Sequence, residues 1–281
     1  SINKYIYFVF YITFIDLLQF FIYNLSIFYS NFNQGGCMLK KSIYTLLAGS
    51  LFLGMSFNLS AEAKVYQGLG KAANFRVGPG KDSKGVEVYS LNYVTASGLF
   101  DENGRIINIV VDALELSTPN YDGASMPHFS GWPGTAGYNV TDHESGNVTG
   151  ISENTVENIT AEVNGWKTKR ERGKDYGMNP RNEWDKQMNF YQEFFKGKTV
   201  AEIEAWFAKS SSDVNGRPLK EKSKNEKDKE KFSKLSDSEK KELVDLVAGA
   251  TMSIKDAHGD ILGAIKNAYD NRVEVTLPAS K

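Results

Sequence analysis

The chain has 281 residues, with 33 basic side chains against 34 acidic ones and 41% hydrophobic residues. Nucleic-acid or anionic membrane-surface binding as a main role calls for clustered basic charge, and this balance gives no support to either. The single cysteine, Cys37, lies ahead of the globular part, which excludes disulfides, thiol nucleophiles and thiolate metal ligands from that part.

Residues 1–63 hold two apolar segments in tandem. About half of residues 1–37 are Phe, Ile or Tyr, and none is Ala, Pro, Arg or Glu, the bias of translated AT-rich DNA. Gln34-Gly35-Gly36 can moreover be encoded with a purine-rich ribosome-binding sequence just ahead of the Met38 codon. Residues 1–37 are therefore expected to be an untranslated leader; the competing reading is a transmembrane helix over residues 5–29, long enough to span a bilayer. From Met38, the basic Lys40 and Lys41, an apolar run and the small-residue ending Ala61-Glu62-Ala63 make a secretory signal peptide over residues 38–63. Without Lys4, Lys40 and Lys41 the basic count falls to 30, and without Asp16 and Glu62 the acidic count falls to 32. Residues 64–281 suffice for one large domain or two small ones. The product is expected to be exported, periplasmic or extracellular, soluble after signal cleavage and not membrane-spanning when mature.

Along the mature chain, residues 86–94 and 105–111 are β-branched and aromatic runs joined through the turn residues Asp101-Glu102-Asn103-Gly104, which predicts an antiparallel hairpin. Residues 117–150, rich in Gly, Pro, Ser, Asn and Asp, predict a long irregular loop, followed by a short strand near residues 159–163. Trp184, Met188, Tyr191 and Phe195 recur at helical spacing in residues 180–195, closed by Lys196-Gly197. Thr199 and Glu202 form a capping box ahead of a second helix, and Ser236 and Glu239 another ahead of a helix over 237–247. Between them, the Lys- and Glu-rich residues 217–241 read as a solvated linker, with a charged insertion spanning 210–236. Residues 254–270 predict a helix and 273–277 a closing strand. Strands, then helices, then a strand indicate an α+β fold, an antiparallel sheet with packed helices and a long irregular loop.

Familiar catalytic motifs fail on inspection. Gly78-Pro79-Gly80 lacks the third glycine of a dinucleotide fingerprint, and Gly197-Lys198-Thr199 lacks the first glycine of a P-loop. His128, His143 and His258 are far apart in sequence, so they suggest no metal site, and no Gly-x-Ser-x-Gly elbow is present. No acid and base pair for catalysis is visible.

The sequence is most informative at DLVAGATMS, residues 245–253. Gly249 and Ala250 are the smallest residues available, which lets backbone approach a bulky group beside the unshielded Thr251 hydroxyl. Residues 252–256 are expected to lead into a helix, whose free N–H groups favour phosphate oxygens. Together these suit a phosphodiester.

This stretch resembles the flavinylation motif Asp-x-x-(Ser/Thr)-Gly-Ala-(Thr/Ser)-x-(Ser/Thr) of the FMN-binding domain family, which includes exported electron-transfer flavoproteins and flavin subunits of sodium-pumping quinone reductases. Asp245 takes the leading acidic position, Gly249 and Ala250 the central pair, Thr251 the acceptor and Ser253 the trailing hydroxyl; Ala248 departs from the usual Ser or Thr. Gly85-Val86-Glu87-Val88, Gly104-Arg105-Ile106 and residues 167–178 extend the likeness at low density. The resemblance implies an FMN-binding-domain-like fold and FMN attached covalently to Thr251 by a phosphoester, put there by a dedicated flavin transferase that uses FAD. It also implies a membrane-bound reductase or other redox partner, and an electron carrier more than a stand-alone reductase.

Further ring-contact candidates are Trp132 and Tyr138 on the loop, and Lys169, Tyr176, Met178 and Trp184 in the middle segment. Core packing serves each aromatic as a competing role, and a solvated charge serves Lys169. The alternative to a flavoprotein is an exported ligand-binding or surface interaction module without covalent flavin, its ligand held by the loop 117–150 or its partner by the charged segment.

Overall fold

The structure, a computed structural model, describes residues 64–276 apart from Ala124. The leader and signal peptide expected over residues 1–63 lie outside the described residues.

Three long strands, β1 (Val65–Lys81), β2 (Glu87–Asp101) and β3 (Ile106–Ser117), form an antiparallel meander, and the short β8 (Val273–Val275) pairs with β1 to give the order β3-β2-β1-β8. The expected hairpin is present, and both strands run longer than the apolar patches that announced them. Its turn is set by Asp101, whose N–H bonds the Arg105 carbonyl at 2.9 Å, and by Gly104, whose φ of 75° favours glycine. Strand β1 escapes the sequence reading because Gly68 and Gly70 interrupt its pattern. They do so for packing: a Cβ at Gly68 would lie 1.8 Å from the Ala268 carbonyl oxygen, so the helix α7 (Ile261–Asp270) rests directly on β1 backbone.

After β3 come the small hairpin β4 (Asn139–Thr141) and β5 (Val148–Ile151), then helix α1 (Val156–Asn164). Helix α1 corrects the strand expected near residues 159–163. Val156, Ile159, Thr160 and Val163 suggest a strand by type, but Thr155 caps a helix by accepting the Asn158 N–H at 3.1 Å, and only Ile159 is buried. The very short α2 (Lys169–Arg172) and a 3-10 turn (Gly173–Tyr176) precede α3 (Trp184–Phe195) and α4 (Val200–Ser210). Both expected capping boxes form, Thr199 with Glu202 at α4 and Ser236 with Glu239 at α6 (Asp237–Gly249). These seven helices, counting α5 (Glu226–Ser233), on the four-stranded antiparallel sheet make an α+β fold.

One core joins the inner sheet face (Val94, Ala96, Phe100, Ile109, Val111) to α3, α4 and α7 through Met188, Tyr191, Phe195, Ile203 and Ile265. Each of the Val, Ile, Phe and Met side chains among these, fully buried, contributes about 1.5–3 kcal/mol. Segment 217–241 is more than a solvated linker: its Leu219 and Leu235 join Leu243, just beyond it on α6, in a small second cluster against Trp206 and Phe232. Three leucines spaced widely in a charged sequence leave no periodic signal, yet the fold gathers them. Among the described residues no helix is long and apolar enough to cross a membrane.

Candidate functional site

Helix α6 ends at Gly249, and the chain turns extended at Ala250 (φ −148°, ψ 133°). The helix expected directly after Thr251 does not start there. A two-rung hairpin intervenes, β6 (Lys255–Asp256) with β7 (Gly259–Asp260), and α7 begins only at Ile261. Ile261 donates to the Ile254 carbonyl at 2.9 Å, closing this hairpin. The helix start expected at residues 252–256 is therefore displaced to Ile261.

Helix α3 holds the Thr251 segment instead. Gln187 Oε1 accepts the backbone N–H of Thr251 at 2.8 Å and of Met252 at 3.0 Å, and Tyr191 Oη, one turn on, donates to the Met252 carbonyl at 2.6 Å. Burial pushes the Tyr191 hydroxyl well above the usual tyrosine range, so it stays a donor. Asn182 Nδ2, just before α3, donates to the Gly249 carbonyl at 2.8 Å. Gly249 and Ala250 are small for packing reasons: a Cβ on Gly249 would lie 2.2 Å from the Phe190 ring, and Ala250 is fully buried in the core. The bulky group that comes close is a side chain of the protein itself.

The hairpin tip forms the opposite wall, and three consecutive carbonyls anchor it. Asn74 Nδ2 donates to Asp256 O at 3.4 Å, Asn92 Nδ2 to Ala257 O at 3.1 Å and Lys169 Nζ to His258 O at 3.0 Å. Lys169 is not a solvated charge. It is 2% exposed, pairs with the equally buried Glu115 at 3.2 Å and lies 5.1 Å from the Tyr176 ring centroid. The competing solvated-charge reading fails because Glu115, on β3, reaches it, which nothing local reveals.

Between these walls lies a cavity of about 340 Å3, lined by Thr251, Ser253, Lys169, Tyr176, Met178 and Trp184 together with Asn179, Gln187, Arg217, Asp256 and His258. Thr251 is half-buried there; its N–H is engaged by Gln187, and its hydroxyl has no partner among the described residues. Ser253 hydrogen-bonds Asp256 through its hydroxyl, and His258 Nδ1 lies 3.4 Å from Asp256 Oδ1. Burial works against the charged Asp256 carboxylate, but hydrogen bonds from His258 and Ser253 outweigh it and hold the group at about 2.

Six of the eleven residues singled out from the sequence, Thr251, Ser253, Lys169, Tyr176, Met178 and Trp184, thus share one cavity. Gly249 and Ala250 lie behind its wall, and Asp245 is exposed on α6 outside the lining. Trp132 and Tyr138 line a different cleft, because the loop that carries them folds against the far end of β2 and β3. Gln187, Asp256, His258 and Arg217 escaped the sequence reading. Gln187 left a signal, a polar residue within the apolar stripe of Trp184, Met188 and Tyr191. Arg217, though exposed, borders the cavity, and Gly216 beside it packs so close to the hairpin that a Cβ would lie 2.6 Å from Lys255 O. Among the described residues no cluster of three or more metal-ligating side chains exists.

The chain is similar to a chlorophenol reductase of Desulfitobacterium hafniense, with 36% identity over 223 residues. The match covers 76% of this chain and 60% of that protein, so the chain spans about three fifths of its relative's length. No protein-family profile and no solved structure matches.

Proposed function

We propose that the chain is an exported electron-transfer flavoprotein that carries FMN as a phosphoester on Thr251 and relays electrons from a membrane reductase to an extracytoplasmic acceptor. The observation that carries this reading is the cavity itself: the acceptor threonine and five other residues chosen for a flavin, Ser253, Lys169, Tyr176, Met178 and Trp184, meet there from three separate stretches of chain. The similarity to a protein named as a reductase supports redox chemistry.

The lining suits the group. The Thr251 hydroxyl is unpartnered among the described residues, Arg217 supplies a cation for the phosphodiester, and Tyr176, Trp184 and Met178 offer aromatic and thioether surface for the ring system. The backbone N–H groups of Thr251 and Met252 are already engaged by Gln187, so phosphate recognition falls to side chains. Bound flavin supplies one- and two-electron chemistry. The protein fixes the Thr251 hydroxyl through α3, keeps one cavity wall rigid through the buried Lys169–Glu115 pair, and leaves the other side open. In this reading Asp245, exposed and outside the cavity lining, is recognised by a flavin transferase and does not touch the ring.

Thr251→Val tests the assignment. Co-expressed with its transferase, the wild-type chain should keep a yellow chromophore through denaturation and precipitation, and the valine variant should fold but lose it. A valine variant that stays yellow would place the flavin elsewhere.

A further inference from the structure

The meander β1-β2-β3 carries apolar side chains on both faces. Its inner face packs through Val94, Ala96, Ile109 and Val111, and side chains alternate along a strand, so the residues between them form an outer face. An antiparallel sheet with one face in water carries polar residues there, and this face is largely apolar instead. The strand register sets Phe75, Leu91 and Leu116 in one outer row, and Leu69, Ser97 and Val110 in another three rows on. Leu69 is 71% exposed and Phe75 70%, and Val77, Leu91 and Val110 are exposed too, so core packing explains none of them.

Two observations choose what covers this face. The first is size: three strands about 4.8 Å apart and at least 12 residues long present roughly 600 Å2. Val273 on β8 and Trp132 on the loop after β3, both exposed, extend this toward the ~800 Å2 that each partner of a stable protein pair buries. The second is charge. Between the two apolar rows Lys71, Thr95 and Asp112 lie side by side, which puts one cation and one carboxylate on opposite strands of the same row. At strand spacing they stand about 10 Å apart, too far to pair within one chain. Neither makes an ion pair among the described residues, and Asp112 Oδ1 accepts only the N–H groups of Ala113 at 2.7 Å and Arg170 at 3.3 Å.

We propose that two copies of the chain pack outer face to outer face about a two-fold axis running along β2. That axis keeps the rows level and exchanges β1 with β3, so Lys71 of each copy meets Asp112 of the other. It also lays Leu69 against Val110, and Phe75 against Leu116 beside Trp132. An axis across the strands at the same row would instead set Lys71 on Lys71. The dimer is independent of the flavin, because the Thr251 cavity lies on the inner side of the sheet with Val94 and Ala113.

Sedimentation equilibrium of the whole chain at about 10 μM in physiological salt tests it, since interfaces of this size bind with micromolar or tighter affinity. The expected mass is that of two chains. Leu69→Glu, at an exposed position that leaves the fold intact, should give the mass of one. Lys71→Glu and Asp112→Lys each set like charges together twice, and each should weaken the dimer at least about tenfold. Mixed, these two variants restore both ion pairs, so the mixture should form a heterodimer about as tight as the wild-type dimer. If Asp112→Lys fails to fold, the two variants on β1, both at exposed positions, still decide the matter. Thr251→Val should dimerise like the wild type, whatever becomes of its flavin. A monomeric wild type, a dimer that survives Leu69→Glu, or a mixture no tighter than its parts would overturn the proposal. So would a monomer that binds phosphatidylglycerol vesicles, which would assign the face to a membrane.

Discussion

Gln187 and Thr251 are joined by a hydrogen bond of 2.8 Å from the Thr251 N–H to Gln187 Oε1, and the same oxygen accepts the Met252 N–H at 3.0 Å. One amide thus sets the orientation of the residue on which the functional reading depends. Gln187→Leu fits the apolar stripe but leaves the buried Met252 N–H unsatisfied, a loss of about 1–3 kcal/mol. Gln187→Glu keeps the acceptor and forfeits the donations to Asn182 O at 2.9 Å and Met178 Sδ at 3.1 Å, so it should fall between leucine and wild type. Urea unfolding gives the order, and flavin incorporation should follow it.

Lys169 and Glu115 make a prediction about stability alone. Each is about 3% exposed, and removing one partner strands the other charge. Lys169→Met should cost about 3–5 kcal/mol, and the double variant Lys169→Met with Glu115→Leu should recover much of it. A double-mutant cycle by denaturant titration measures the coupling. Additive losses would show that the pair does not act as one unit.

Asp256 links the hairpin to pH. Its folded-state value of about 2 lies below the ordinary aspartate value of about 3.9, so its contribution is fully present above about pH 4 and is lost as pH falls through about 2. Melting temperatures of wild type and Asp256→Asn should therefore differ at about pH 5 and converge toward about pH 2. A gap that widens on acidification would reverse the sign and refute the account of its hydrogen bonds.

The parts of the fold legible in the sequence were those with a local cause. Capping at Thr199 and Ser236 and the turn at Asp101–Gly104 follow from neighbours a few residues away, and the structure has all three. Strand β1 was hidden because Gly68 and Gly70 serve α7, distant in sequence. Thr251 stood out by motif, whereas the hairpin after it read as helix because Ile254, Ile261 and Ile265 keep helical spacing across the break. Long-range pairs such as Lys169 with Glu115, and Asp256 with Asn74, have no local signature. Trp132 and Tyr138, candidates for contact with the flavin ring, line a separate cleft, since sequence distance does not tell which end of a strand a loop covers.

The central claim is tested most directly by mass spectrometry of the chain co-expressed with its flavin transferase, digested and read peptide by peptide. The account predicts a gain equal to FMN less one water, confined to the peptide that contains Thr251 and absent from Thr251→Val. An unmodified Thr251 peptide from fully transferase-exposed protein, or the same gain on a different peptide, would contradict it.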